Sequence, residues 1–151
     1  MIDEAIARGD QDRVRKILAA HPEAANTGSN PALPPLHAAI LRKKPEIAKI
    51  LVEAGADVSA VDSSDRTAIH LVVERDLPGL VEPLAAAGAP LDALDSVGWT
   101  PLHWAAAKDN LPLAKVLIEA GADVHARTVR GGTILHEAAA TGGGEMGRYF
   151  L

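Results

Sequence analysis

Four histidines stand at identical intervals in this chain: His37, His70, His103 and His136, each 33 residues after the last. Repeated imidazoles suggest a transition-metal site or a set of general bases. The spacing argues against metal. One histidine per structural unit puts successive rings about 8–10 Å apart, a helix-packing distance, whereas zinc holds its ligands at about 2.0–2.1 Å. His21 and His125 fall near loops with no second ligand implied. Nucleophilic catalysis has as little support. There is no cysteine and no Gly-x-Ser-x-Gly elbow, and Gly142-Gly143-Gly144 lacks the Lys-Ser/Thr of a phosphate cradle. The acidic residues do not recur as an isolated buried pair. No metal, no cofactor and no enzymatic activity are expected.

The histidines must therefore be explained by the elements that carry them. Each closes a four-residue string: Pro34-Pro35-Leu36-His37, Thr67-Ala68-Ile69-His70, Thr100-Pro101-Leu102-His103 and Thr133-Ile134-Leu135-His136. A second marker keeps the same step, in Ala54-Gly55-Ala56, Ala87-Gly88-Ala89 and Ala120-Gly121-Ala122. A fixed period of this size signals a stack of like supersecondary units, and such stacks bind more often than they catalyse.

The third unit shows the plan. Asp95-Ser96-Val97-Gly98 is turn chemistry. Thr100 reads as an N-cap and Pro101 as the first helical residue, where a missing N–H costs nothing. A short alanine-rich helix is expected from Pro101 to Lys108, broken by Asp109-Asn110. A second follows from Leu113 to Ala120, with Leu113, Val116 and Leu117 at helical spacing and Gly121 as a left-handed C-cap. Neither helix is long enough to persist alone, so each must bury its apolar face against neighbouring units.

The run Gly98-Trp99-Thr100-Pro101-Leu102-His103-Trp104-Ala105-Ala106 and the exit Leu117-Ile118-Glu119-Ala120-Gly121-Ala122-Asp123-Val124 resemble the ankyrin repeat. That resemblance implies an all-α solenoid of stacked helix-turn-helix units with projecting hairpin-like loops. It further implies ligands on the concave side, against loop tips and first helices. The repeated histidines His37, His70, His103 and His136 and threonines Thr67, Thr100 and Thr133 would be structural, tying repeat to repeat. Gly55, Gly88 and Gly121 would serve as helix ends. The whole chain, 1–151, is read as a single such domain: an opening cap at 1–28, repeats at about 29–61, 62–94 and 95–127, and an incomplete last repeat at 128–151. In the cap, Ile2 to Arg8 and Asp12 to His21 are expected as helices, with Arg13, Arg15 and Lys16 on a solvated face.

The second repeat departs most from this plan. Val72-Val73 replace a small pair, Asp65 replaces a turn glycine, and Pro83 falls inside the second helix. An interior proline costs about 3 kcal/mol if unrelieved. A kinked or shortened helix and a locally soft stack are expected there.

Composition fits a folded binding module. Of 151 residues, 48% are hydrophobic and only 3% aromatic, so Ala, Leu, Ile and Val must build the core. A net charge of -5 argues against a nucleic-acid backbone as ligand. Arg42-Lys43-Lys44 is then a solvated inter-helix turn. No apolar run spans a bilayer, and Met1-Ile2-Asp3-Glu4 lacks a signal peptide's basic head and apolar run. The expected location is cytoplasmic, with an effector secreted without a cleavable signal as the alternative. The expected partner is another protein, not nucleic acid and not membrane.

Five residues after each histidine come Arg42, Arg75, Lys108 and Thr141. The three cations would form a basic ladder along the inner helices, suited to an acidic partner segment. Trp99 at a loop tip and Trp104 on a first helix are the expected apolar anchors, since tryptophan is enriched at interface hot spots. Arg66, Val97 and Arg130 are read as equivalent tip positions. Self-association is the alternative function, a homodimer or longer array formed through the incomplete last repeat with Tyr149, Phe150 and Leu151 on an apolar edge.

Overall fold

The computed structural model describes residues 2–134 and 136. Among these the chain forms eight α-helices: α1 (Ile2–Arg8), α2 (Gln11–Ala20), α3 (Pro35–Leu41), α4 (Pro45–Glu53), α5 (Ala68–Arg75), α6 (Val81–Ala86), α7 (Pro101–Ala107) and α8 (Leu111–Ala120). Two 3₁₀ turns, Pro22–Ala25 and Pro78–Leu80, complete the ordered elements. The helices pair as α1–α2, α3–α4, α5–α6 and α7–α8, and the pairs stack. First helices form one row, α1 against α3, α3 against α5 and α5 against α7; second helices form the other.

The two rows enclose a ribbon of aliphatic core. Leu36, Ile40, Ile69, Leu71 and Leu102 come from the first row, and Ile47, Leu51, Leu84, Leu113 and Leu117 from the second. Alanines such as Ala39, Ala105 and Ala106 are fully buried, so neighbouring first helices approach closely.

Backbone conformation repeats with the sequence. Left-handed residues sit between the helices of three successive pairs: Lys43 (φ 54), Asp76 (φ 54) and Asp109 (φ 53). The residue after each donates five positions back, Lys44 to Ala39, Leu77 to Val72 and Asn110 to Ala105. At the ends of the second helices Gly55, Gly88 and Gly121 take φ 92, 93 and 115. There Ala56, Ala89 and Ala122 close the same kind of turn on Leu51, Leu84 and Leu117.

Four local expectations shift. Helix α2 starts at Gln11 because Asp10 caps it, accepting from the Arg13 N–H, and it stops at Ala20. Pro22 disfavours a helical conformation at His21. Helix α8 starts at Leu111 rather than Leu113, because Asn110 is its N-cap and accepts from the Leu113 N–H. First helix α7 ends at Ala107, with Lys108 as its C-cap.

The fourth concerns Pro83. The expected second helix is shortened, but its proline is relieved. A 3₁₀ turn at Pro78–Leu80 takes over the start, and α6 restarts at Val81. Pro83 then lies third in the helix, among the N–H groups that have no intrahelical partner in any case. Leu80, Val81 and Leu84 remain buried, so the core is continuous through this unit.

Candidate functional site

Each histidine of the repeat is anchored at both ring nitrogens where its unit is complete. His70 Nε2 donates to the Trp99 carbonyl at 2.9 Å. Its Nδ1 accepts from the Thr67 N–H at 3.2 Å and from the Thr67 hydroxyl at 3.0 Å. His103 repeats this, with Nε2 donating to the Gly132 carbonyl at 3.2 Å and Nδ1 bonded to the Thr100 hydroxyl at 2.6 Å. His37 donates to the Arg66 carbonyl at 3.0 Å. All three reach 29 residues ahead, into the loop of the next unit. Thr133 and His136 form the same local pair, 2.9 Å apart. A carbonyl acceptor requires the Nε2–H tautomer. His37 is the exception in the series: Pro34 stands where the others have threonine, and its Nδ1, fully buried, finds no partner among the described residues. Burial pushes the imidazoles of His37 and His70 below their ordinary value, against the opposing pull of the Arg66 and Trp99 carbonyls.

The loops after α4 and α6 are hairpin-like, each built on one acidic residue. Asp62 Oδ1 accepts from the N–H groups of Ser64 and Arg66. One repeat later Asp95 Oδ1 accepts from those of Val97 and Trp99. Burial alone would raise the Asp62 carboxyl. The two backbone N–H groups and the Arg66 guanidinium outweigh burial and hold it below its ordinary value. Successive loops are joined by single backbone bonds, Ser96 to the Ser64 carbonyl at 2.9 Å and Val129 to the Gly98 carbonyl at 2.9 Å. Gly98 is required here: its φ is 89, and a Cβ would lie 2.1 Å from Val129 Cγ1.

Both tryptophans are held by these loops. Trp104 Nε1 donates to Asp95 Oδ2 at 2.7 Å, fixing the indole across the first-helix row. Trp99 packs on it at a centroid separation of 4.5 Å and tilts against His103 at 6.4 Å. Trp99 is half-buried, like Trp104. The two rings nevertheless open on different surfaces. Trp104 lines a cleft of about 300 Å³ with Arg66, His70, Glu74 and Lys108. Trp99 lines a second hollow at the loop tips with Val97, Thr128, Val129, Arg130 and Gly132.

The other sequence candidates are distributed unevenly. Arg66 pairs with Asp62 through Nε at 2.9 Å and with Glu74 through Nη1. It therefore bridges a loop to helix α5. Arg66 occupies the position of Trp99, whereas Val97 and Arg130 share a different one, so the three are not equivalent tips. Val97 is 58% exposed, and Arg130 is exposed beside it at the hollow. Arg42, Arg75 and Lys108 all stand at the C-terminal ends of first helices. There they also complement the helix dipole. Arg42 and Lys108 are exposed, while Arg75 is half-buried with an Nε that lacks a partner among the described residues. Thr141, the glycine run at 142–144, Tyr149, Phe150 and Leu151 lie outside the described residues.

The family model for ankyrin repeats (3 copies) matches the chain over residues 2–95 and 69–151. The chain belongs to the ankyrin-repeat family. No curated protein matches it as an individual relative. Ankyrin repeats are in general protein–protein interaction modules and typically non-catalytic. Among the described residues of this ankyrin array, no three His, Asp or Glu side chains gather to hold a metal ion. No helix there is long and apolar enough to cross a membrane.

Sequence reasoning missed two residues that shape the ankyrin cleft, Asp62 and Glu74, and read Asp95 only as a turn residue. Asp62 and Asp95 stand 33 residues apart, so the period itself marks them as loop organisers. Glu74 carries no periodic signal. Its pairing with Arg66 depends on how a loop folds back over α5, which no spacing rule reveals.

Proposed function

We propose that this chain is a non-catalytic binding module. It receives a segment of another protein along the first-helix row and the loop tips, centred on Trp104. The observation that carries this reading is the cleft beside Trp104, where an indole face and a free ammonium lie open at a junction between units. Arg42, Arg75 and Lys108 extend one sign of charge along the same helices, which favours encounter with an acidic segment. Trp99 acts mainly by supporting Trp104 and contributes its outer edge at the tips, with Val97 and Arg130 around it. A cytoplasmic, scaffold-like role is consistent with such a module.

The test is affinity capture from the source lysate with three baits: the parent chain, a Trp104→Ala/Lys108→Glu variant, and a Lys16→Glu control on the second-helix row. Circular dichroism first establishes that each bait is folded. A protein retained by the parent and the control but lost by the Trp104/Lys108 variant is the expected outcome. Identical retention on all three would move the site elsewhere. Recovery of the bait alone would favour self-association instead.

A further inference from the structure

We infer that the cleft beside Trp104 selects an apolar side chain with an aspartate or glutamate a few residues away in the same partner segment. This rests on the binding role proposed above and narrows its chemistry. Most polar groups in the cleft walls are already bonded. Both nitrogens of His70 are already used, by Thr67 and by the Trp99 carbonyl. The Trp104 N–H is used by Asp95. The Arg66 guanidinium is engaged by both Asp62 and Glu74 and has no charge to spare for an occupant, while Glu74 already holds a cation. What the walls still offer is ring face and aliphatic stem, which reward an apolar group, plus one cation. Lys108 is exposed at the end of α7 and has no carboxylate within ion-pair distance among the described residues. A polar occupant would leave its own groups unpaired against such walls. A basic one would meet Lys108 with Glu74 already engaged. An apolar anchor with a nearby carboxylate satisfies both halves of the site, and the ladder from Lys108 to Arg75 and Arg42 continues the preference along a chain that runs on rather than ends.

The probes are synthetic peptides, acetylated and amidated, each with one phenylalanine in a Gly/Ser host and an aspartate two positions on. Companions carry asparagine or lysine in place of the aspartate, and one ends in a free carboxylate after the phenylalanine. Binding at millimolar concentration is followed by the ¹H–¹⁵N shift of the Trp104 indole N–H. The aspartate peptide is expected to bind tightest, about two- to five-fold over its asparagine form, as suits one exposed ion pair. Lys108→Gln should erase that ratio while leaving the apolar contribution, and added salt should do the same. Equal binding of the aspartate and asparagine peptides, tighter binding of the lysine peptide, or no shift at Trp104 would overturn the inference. A free-carboxylate peptide that outbinds the internal aspartate would overturn the choice of an internal segment. If capture depends on Trp104 while the peptide order is reversed, the chemistry fails and the binding role stands. Capture indifferent to Trp104 removes the reading beneath both.

Discussion

Restoring threonine at position 34 should stabilise the fold. Helix α3 starts from Pro34 without any side-chain cap, and the buried Nδ1 of His37 has no partner among the described residues. The two complete units show what is missing, since Thr67 and Thr100 each cap a helix and bond the histidine three residues on. The backbone is ready for the change: Pro34 has φ -56 and ψ 151, against φ -81 and ψ 165 at Thr100. A restored N-cap contributes about 1 kcal/mol. Giving the buried nitrogen a partner contributes about another 1 kcal/mol. Losing the proline's restraint on the unfolded chain costs about 0.4–1 kcal/mol. Pro34→Thr should therefore gain about 1 kcal/mol, roughly 2–4 °C in midpoint for a chain of this size. Pro34→Val is the control, because it also loses the proline and matches threonine in shape but has no hydroxyl. Urea unfolding of the three proteins should place threonine about 2 kcal/mol above valine. Equal stability of the two variants would refute the claim that the missing hydroxyl leaves α3 and His37 under-bonded.

Four other outcomes are expected. Because burial lowers the folded-state values of His37 and His70, the unfolded chain binds more protons below about pH 6.5. Their contribution should be complete above that pH and decline as pH falls, by up to about 1.4 kcal/mol per pH unit for each histidine, seen as a falling urea midpoint that His70→Gln flattens. Asp62 acts in a lower window, its stabilisation present above the ordinary carboxyl range and lost as pH falls through its depressed value. Lys43→Gly should raise stability by about 1 kcal/mol, since Lys43 holds a left-handed φ of 54 that glycine adopts freely, a change read by thermal melting. Pro83→Ala should move the urea midpoint by less than about 1 kcal/mol, because the proline sits in the first turn of α6 rather than its interior; a gain near 3 kcal/mol would mean that it strains the helix after all.

What was legible in the sequence was what the 33-residue period encodes. The helix pairs, the threonine–histidine pairs and the left-handed glycines all follow from residues that recur, because each unit solves the same local packing problem. Helix ends were read less well: Asn110 looked like a breaker and is a cap, since the same side chain does either according to which N–H it meets. Pro83 was judged by its register in an ideal unit, and the chain instead moved the helix start. The candidate site was half visible. Trp104 and Lys108 were marked by type and position, but the burial of Trp99 and the bridge from Arg66 to Glu74 depend on how neighbouring loops lean together, and that is a long-range outcome.

The histidine bonds give the array a direction. Each hook points forward, from one unit into the loop of the next. A lesion at His70 therefore loosens the loop that carries Trp99 and leaves the junction behind it clasped by His37. In amide exchange such a lesion would show as a one-sided fade, with protection lost downstream of the substitution and kept upstream. Neighbouring units would behave less like stacked plates than like links whose histidine clasps run one way.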